Sequence, residues 1–421
     1  MLASTGEDMS IASTIEAQDA GRSEAPKGRW AMTALLLLAI TTAFFDRINI
    51  AVLFTNKDFH DAIGVASPAL MGLLMTAFVF PYGASGMALS VIGDVFGPRK
   101  TLGAISLILA FIMAAMGAMS SYALMIAARI AIGLTEGPQF GTATMTVKRW
   151  FPPREQALAN ACWTIGSPLG SLIGFPMVIF LVAQYGWRAS FFVLAAINLA
   201  VVFPLVWLCL RDRPPGVPVE AKAEDAMPFG EAFKILARDW RFWMLPIFNS
   251  GTLIYIWAIN SWLPAYLQQA RGFDTAMTAF YSALPFAFMI AGQLFFSWLG
   301  DRLGRRAIVC AVTQTLTGAF LYLGATAADA DVSAWLIAVS AGFWGGATPT
   351  LFALSMQIIP KRIAAAGFGL FAGFANLVGS ISPFIIGVLV AQTGDYQAGL
   401  IFVMTGSFVT SLAMIPLLRK Y

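Results

Sequence analysis

Four ionisable residues stand inside long apolar runs of this chain: Asp46, Arg47, Arg129 and Glu136. A charged group at the centre of a membrane helix costs about 2.5–3.5 kcal/mol on insertion scales, so such groups mark substrate or ion pathways by default. Their formal charges cancel, and together they can offset one another. Arg129 and Glu136 are seven positions apart and share one helix face, two turns apart. Asp46 and Arg47 are adjacent, so they point about 100° apart and can border one cavity without sharing a direction. A guanidinium holds a carboxylate through two parallel N–H donors and keeps its charge. A carboxyl group in a low-dielectric setting can load and release a proton. The four residues therefore predict a proton-and-anion site. The alternative is a buried ion-pair network that only fixes helix packing.

All four lie in the first half of the chain. The second half offers only neutral polar groups at comparable depth: Tyr255, Asn260, Gln293, Gln314, Gln357 and Asn376. One half is thus expected to hold the charge chemistry and the other to shape a pocket around the neutral parts of a ligand. Tyr255 and Asn376 are the candidate ligand contacts, with Trp257 and Asn260 beside Tyr255. A buried Asn needs a hydrogen-bond partner, whether substrate or a neighbouring helix. The three glutamines read as packing glue between helices.

The elements that must position these residues follow from composition. Of 421 residues, 58% are hydrophobic and 11% charged, against roughly 25% charged in a soluble domain. Mean hydropathy is +0.75. There are too few charges to coat a water-facing surface, and the chain reads as an all-α polytopic membrane protein. Apolar runs near the roughly 20 residues that a bilayer requires fall at 30–54, 68–92, 101–119, 122–146, 157–182 and 189–210. A second set falls at 242–269, 276–299, 307–327, 333–358, 364–391 and 397–418. Residues 1–28 read as a disordered N-terminal tail without an apolar signal region. Residues 211–241, with Pro214, Pro215, Pro218 and Pro228, read as a linker between six-helix bundles at 29–210 and 242–421.

Charge placement supports twelve crossings. Of the 26 Lys and Arg, only Lys57, Arg188 and Arg271 fall in loops on the side away from the chain ends. By the positive-inside rule the side carrying both ends is cytoplasmic. The halves also repeat. Gly93, Asp94, Gly97 and Arg99 recur at one constant offset as Gly300, Asp301, Gly304 and Arg306, each time between the second and third spans of a half. Parallel halves related about the membrane normal are a transporter plan.

Twelve spans, a central linker and the duplicated G-D-x-x-G-x-R loop resemble the major facilitator superfamily over residues 29–421. Asp46-Arg47, Arg129-x6-Glu136-Gly137 and Arg149-Trp150-Phe151-Pro152 resemble its anion:cation symporter family, which includes galactonate, hexuronate and phthalate-type permeases, sialin and vesicular glutamate transporters. The resemblance implies that Arg47 meets the substrate carboxylate and that Asp46 and Glu136 take up protons. It implies that Arg129 partners Glu136 and that Tyr82 is a polar pocket group. It also implies that the paired loops, Gly93, Asp94, Gly97, Arg99 and Gly300, Asp301, Gly304, Arg306, latch one conformational state. The family's downstream E-R pair is here Glu155-Gln156. Gly166, Gly170 and Gly174, spaced by four, read as close helix packing at the moving interface. Glutamate-carrying relatives place a histidine in the second span and an arginine in the seventh; this chain has neither.

The expected activity is proton-coupled import of a small organic monocarboxylate by alternating access, with the chain a monomer in the cell's inner membrane. Sugar acids lead, because neutral polar groups dominate the second half. Aromatic acids follow, since Tyr255, Trp257, Trp262 and Phe286 can stack a ring. An uncoupled uniporter or sensor is the reading from another class. No enzyme is expected: no nucleophile–base pair or phosphate loop lies at membrane depth. One His (His60) and three Cys (Cys162, Cys209, Cys310) leave little for a metal site or a disulfide framework. Protons, the anion and the bilayer are the expected partners. No cofactor beyond the coupling proton and no nucleic acid is expected.

Overall fold

The computed structural model describes residues 26–89, 92–215, 229–360 and 363–420, without the side chains of residues 94, 153, 157, 229, 364 and 365. The N-terminal tail to residue 25, the linker stretch 216–228 and Lys361-Arg362 lie outside the described residues, as does the Asp94 side chain.

Among the described residues every regular element is helical. The first span, Arg29–Val52, ends in a tight turn over Leu53–Thr55 and is followed by a short helix, Lys57–Ile63. The next spans are Pro68–Ala88 and Pro98–Ala118. The fourth crossing is broken into Tyr122–Glu136 and Gln139–Trp150. Pro138 has no N–H to continue the ladder, so the helix yields there. Eleven helices among the described residues are long and apolar enough to cross a membrane unaided; this interrupted pair supplies the twelfth crossing. The fifth crossing runs through Pro153–Thr164 and Gly166–Tyr185. The sixth starts as Trp187–Ile197, passes through one π turn at Asn198–Val202 and ends as Phe203–Cys209.

The second half repeats the plan with Trp240–Ala265, Thr275–Leu303, Arg306–Thr326, Ala330–Ile358, Ala364–Gly379 continued by Ser382–Thr393, and Tyr396–Ser411. A helix at Phe229–Arg238 stands in the expected linker; it seats Ala232 and Leu236 among Phe242, Leu354, Ile358 and Met414 of the second half. Twelve crossings return the chain to its starting side, called here the terminal side.

The halves pack directly. Glycines of the second and eleventh spans allow close approach: a side chain on Gly72 would strike Pro383, and one on Gly373 would strike Met87. At the end away from the termini, Thr55 donates to Gln268 Oε1 at 2.6 Å, and Phe54 lies 4.8 Å from Trp262. At mid-depth Phe175 stacks on Phe286 at 5.7 Å. The glycine stripe behaves differently from expectation. Gly166, Gly170 and Gly174 fit against Ile40, Phe44 and Phe45 of the first span, inside one half rather than at the interface between halves.

Candidate functional site

Arg47 sits eighteen residues into the first span, roughly 27 Å along it at 1.5 Å per residue. Its Nε donates to Glu136 Oε2 at 2.6 Å, with 2% and 0% of the two side chains exposed. The guanidinium carbon lies 4.4 Å from the centre of the Phe44 ring, 4.6 Å from Tyr82, 5.6 Å from Phe78 and 5.8 Å from Phe140. Phe44 stands three residues before Arg47 on the same helical face. Ring quadrupoles attract the cation most strongly where water is excluded. The pair is held by one hydrogen bond only: Arg47 Nη2 and Glu136 Oε1 are buried and unbonded. Half of a planar fork is therefore free to meet another oxygen.

Asp46 turns away from Arg47, as adjacency on a helix requires. Its Oδ2 accepts from Asn198 Nδ2 at 2.8 Å, and its Oδ1 has no partner. Asn198 opens the π turn of the sixth span; single π turns recur at functional sites. Arg129 donates through Nε to Leu74 O at 3.1 Å and through Nη2 to Met75 Sδ at 3.0 Å, with its guanidinium 4.7 Å from the Phe78 ring centre. The expected Arg129–Glu136 pairing is thus replaced by Arg47–Glu136. The reason is axial distance: seven residues separate the two along the helix by about 10 Å, and Arg129 spends its reach on the second span.

Close packing of the second and fourth spans holds Glu136 in place. Ser85 Oγ donates to Gly133 O at 3.1 Å, and a Cβ on Gly137 would strike Ser85 and the Gly86 backbone. Beyond the break, Gln139 Nε2 donates to Ala39 O at 3.2 Å, tying the second segment back to the first span.

The facing wall comes from the seventh span, where Tyr255 and Trp257 point in opposite directions because two residues turn a helix by about 200°. Tyr255 is sealed inside the second half: it accepts from Ser340 Oγ at 3.0 Å and stacks on Trp344 at 6.2 Å. Trp257 faces the first half, its ring 6.0 Å from Phe78 and 6.3 Å from Tyr82. One turn further, Asn260 Oδ1 accepts from Ser171 Oγ at 3.0 Å across the halves. Asn376 donates to Ala372 O at 3.0 Å and packs beside Gly83. Gln314 is buried inside the second half without a hydrogen-bond partner. An apolar crevice nearby, between Ile259, Trp262, Tyr266, Ile386 and Leu400, carries no charged group.

The first paired loop contacts its own half and the start of the linker, and the second contacts its own half. In the first, Gly97 has φ 85° and lies against the Asp212 carboxylate. The Arg99 backbone N–H donates to Asp212 Oδ1 at 2.8 Å, and Arg99 Nε donates to Trp207 O at 2.5 Å. Gly93 lies against Thr142. In the second loop, Gly300 packs near Thr350, Gly304 caps its helix at φ 65°, and Arg306 Nη2 meets Asp301 Oδ1 at 3.0 Å on the surface. Glu155 pairs with Arg29 at 2.9 Å, so this position ties the fifth span to the first. His60 lies outside the spans, 3.1 Å from Phe54 O, and its partial burial holds the imidazole below its usual pKa. Among the described residues no three His, Cys, Asp or Glu side chains converge.

Asn198, Phe44, Phe78, Phe140 and Ser171 belong to this arrangement and were not among the expected residues. Only Phe44 carried a readable signal, its spacing of three from Arg47.

The family described as Major Facilitator Superfamily matches residues 35–383. A probable sulfoacetate transporter of Cupriavidus necator is 28% identical, the match covering 93% of this chain and 95% of the relative. A probable galactarate/D-glucarate transporter of Bacillus subtilis is 27% identical over 92% of this chain and 91% of its own. A probable L-galactonate transporter of Escherichia coli is 24% identical over 92% and 89%. Among solved structures, a bacterial homologue of the human lysosomal transporter Spinster superposes with a TM-score of 0.76 at 15% identity. That match covers 94% of this chain and 98% of the other.

Proposed function

The chain belongs to the major facilitator superfamily and is a transporter rather than an enzyme, and we propose that it imports a small organic monocarboxylate together with protons. The observation that carries this reading is the buried Arg47–Glu136 pair, joined by a single hydrogen bond and walled by aromatic rings. With Glu136 ionised, its carboxylate occupies Arg47. A proton on Glu136 removes that charge and frees the fork for the carboxylate of the substrate. Asp46 and Arg129 then balance each other, so the loaded site is neutral, as the empty one is. Neutrality matters because carrying one charge against 100 mV costs about 2.3 kcal/mol. The bias of Lys and Arg toward the terminal side supports a cytoplasmic location for both chain ends, in the inner membrane of the cell. The Thr55–Gln268 and Phe54–Trp262 contacts join the two halves on the far side. One chain contains the whole site, so a monomer suffices.

A sugar acid is the leading substrate. Relatives named for galactarate, glucarate, galactonate and sulfoacetate support an organic anion, and polyol C–H faces pack well on aromatic walls. The same ring cage favours an aromatic carboxylate as the second reading. Competition uptake in proteoliposomes separates them. Labelled D-galactonate is challenged with galactarate, D-glucuronate, sulfoacetate and benzoate. Monocarboxylate sugar acids are expected to compete best. Competition by benzoate alone supports the second reading; competition by none of these acids refutes both.

A further inference from the structure

The second half contributes a buried hydrogen-bond donor that no group among the described residues satisfies. Trp257 is 5% exposed, and its Nε1–H has no acceptor. Leaving a buried N–H unbonded is costly, so such a group points to a ligand. Its ring abuts Phe78 and Tyr82, the same two rings that wall the Arg47 guanidinium, whose Nη2 is also unbonded. Two idle donors, one from each half, thus stand against the same pair of rings.

We infer that Trp257 is a specificity residue whose indole N–H donates to the 2-hydroxyl oxygen of a 2-hydroxy carboxylate held on Arg47. The inference rests on the carboxylate reading of Arg47 given above. A carboxylate uses both its oxygens on a guanidinium fork, so a donor from the opposite wall needs an acceptor on the adjacent carbon. The hydroxyl supplies it. The carbon chain beyond lies among the rings of Phe44, Phe78 and Phe140, which accept C–H faces. Recognition then spans both halves, so a bound 2-hydroxy acid bridges the elements that rock against each other. Acids lacking the hydroxyl leave the indole N–H unpaired and are rejected, since a site built around a hydrogen bond discriminates strongly against the analogue that cannot make it.

Binding of D-galactonate and of its 2-deoxy analogue to the purified full-length chain tests this by thermal shift and by displacement of labelled D-galactonate. Wild type is expected to prefer D-galactonate by roughly tenfold or more, the value of one such hydrogen bond. Trp257→Phe is expected to lose that preference, weakening D-galactonate far more than the 2-deoxy acid. Continued binding of the 2-deoxy acid reports an intact site. A second variant carries 3-benzothienylalanine at position 257, which keeps the ring size and lacks the N–H; the same loss is expected. Equal weakening of both acids, retention of the preference in either variant, or a wild type that prefers neither overturns the inference. Arg47→Lys separates the two levels of the argument. Loss of both acids in Arg47→Lys with retained preference in Trp257→Phe sinks only the role of Trp257. Binding that survives Arg47→Lys sinks the carboxylate site itself.

Discussion

Replacing Arg47 with lysine is expected to abolish uptake while all twelve spans still insert. The guanidinium does two things at once: Nε holds Glu136 at 2.6 Å, and Nη2 remains free within the same plane. An ammonium is a point charge on a flexible stem and cannot hold two oxygens in fixed parallel geometry. It is also more strongly hydrated, and the cage of Phe44, Phe78, Tyr82 and Phe140 supplies flat faces that suit a planar cation better. A charge-assisted hydrogen bond contributes about 1.5–3 kcal/mol. Loss of one such bond to substrate, with a misplaced second, predicts a fall in uptake of at least about 100-fold. Initial rates of labelled-acid uptake, normalised to membrane-inserted protein, check this. Wild-type affinity in the lysine variant would falsify the assignment of Arg47 to the substrate carboxylate.

Glu136→Gln is expected to separate binding from pumping. Glutamine has the shape of the protonated acid and can never ionise. Arg47 then stays open to substrate whatever the pH, and exchange of external for internal substrate continues. Uphill accumulation driven by a pH gradient should disappear, because the step that returns the empty carrier with an occupied Arg47 is gone. Removing one partner of a buried ion pair costs about 3–5 kcal/mol. The bound carboxylate offsets that loss, so the variant should be stabilised by substrate more than wild type is. Counterflow and gradient-driven uptake are measured on the same vesicles. Accumulation equal to wild type in Glu136→Gln removes Glu136 from the coupling step. If Glu136 served only to neutralise Arg129, removing the Arg129 charge as well would restore accumulation. The hydrogen bond from Arg47 to Glu136, rather than one from Arg129, favours the coupling role.

Sequence patterns reached the architecture well and the pairings poorly. Apolar run length and the placement of Lys and Arg were sufficient for twelve spans, since both reflect the bilayer rather than tertiary detail. The break in the fourth span was readable at Gly137-Pro138, yet the apolar run passed over it. The four buried charges were conspicuous because charge at membrane depth is costly. Which of them pair was not readable, because Arg47 and Glu136 are distant in sequence and meet only through the packing of the first and fourth spans. Helical spacing places Arg129 and Glu136 on one face but overstates their contact. Spacing also shows that Tyr255 and Trp257 oppose each other, while only the assembled bundle shows which of them faces the other half. Asn198 carries no local signal: an asparagine in an apolar run reads as packing until its partner, Asp46, is located. The glycine stripe was legible as close packing, but which helix it receives depends on the bundle.

The coupling of proton entry to acid entry can be read directly inside vesicles. Proteoliposomes containing the full chain and a trapped pH-sensitive dye are clamped at zero membrane potential, and an acid that the carrier takes up is added outside. If substrate displaces Glu136 from Arg47 only after Glu136 is protonated, each carboxylate brings at least one proton with it. The lumen of wild-type vesicles then acidifies in step with labelled-acid entry, and Glu136→Gln vesicles exchange acid without acidifying. Labelled acid entering wild-type vesicles with no lumenal acidification contradicts proton coupling and leaves uniport or another driving ion.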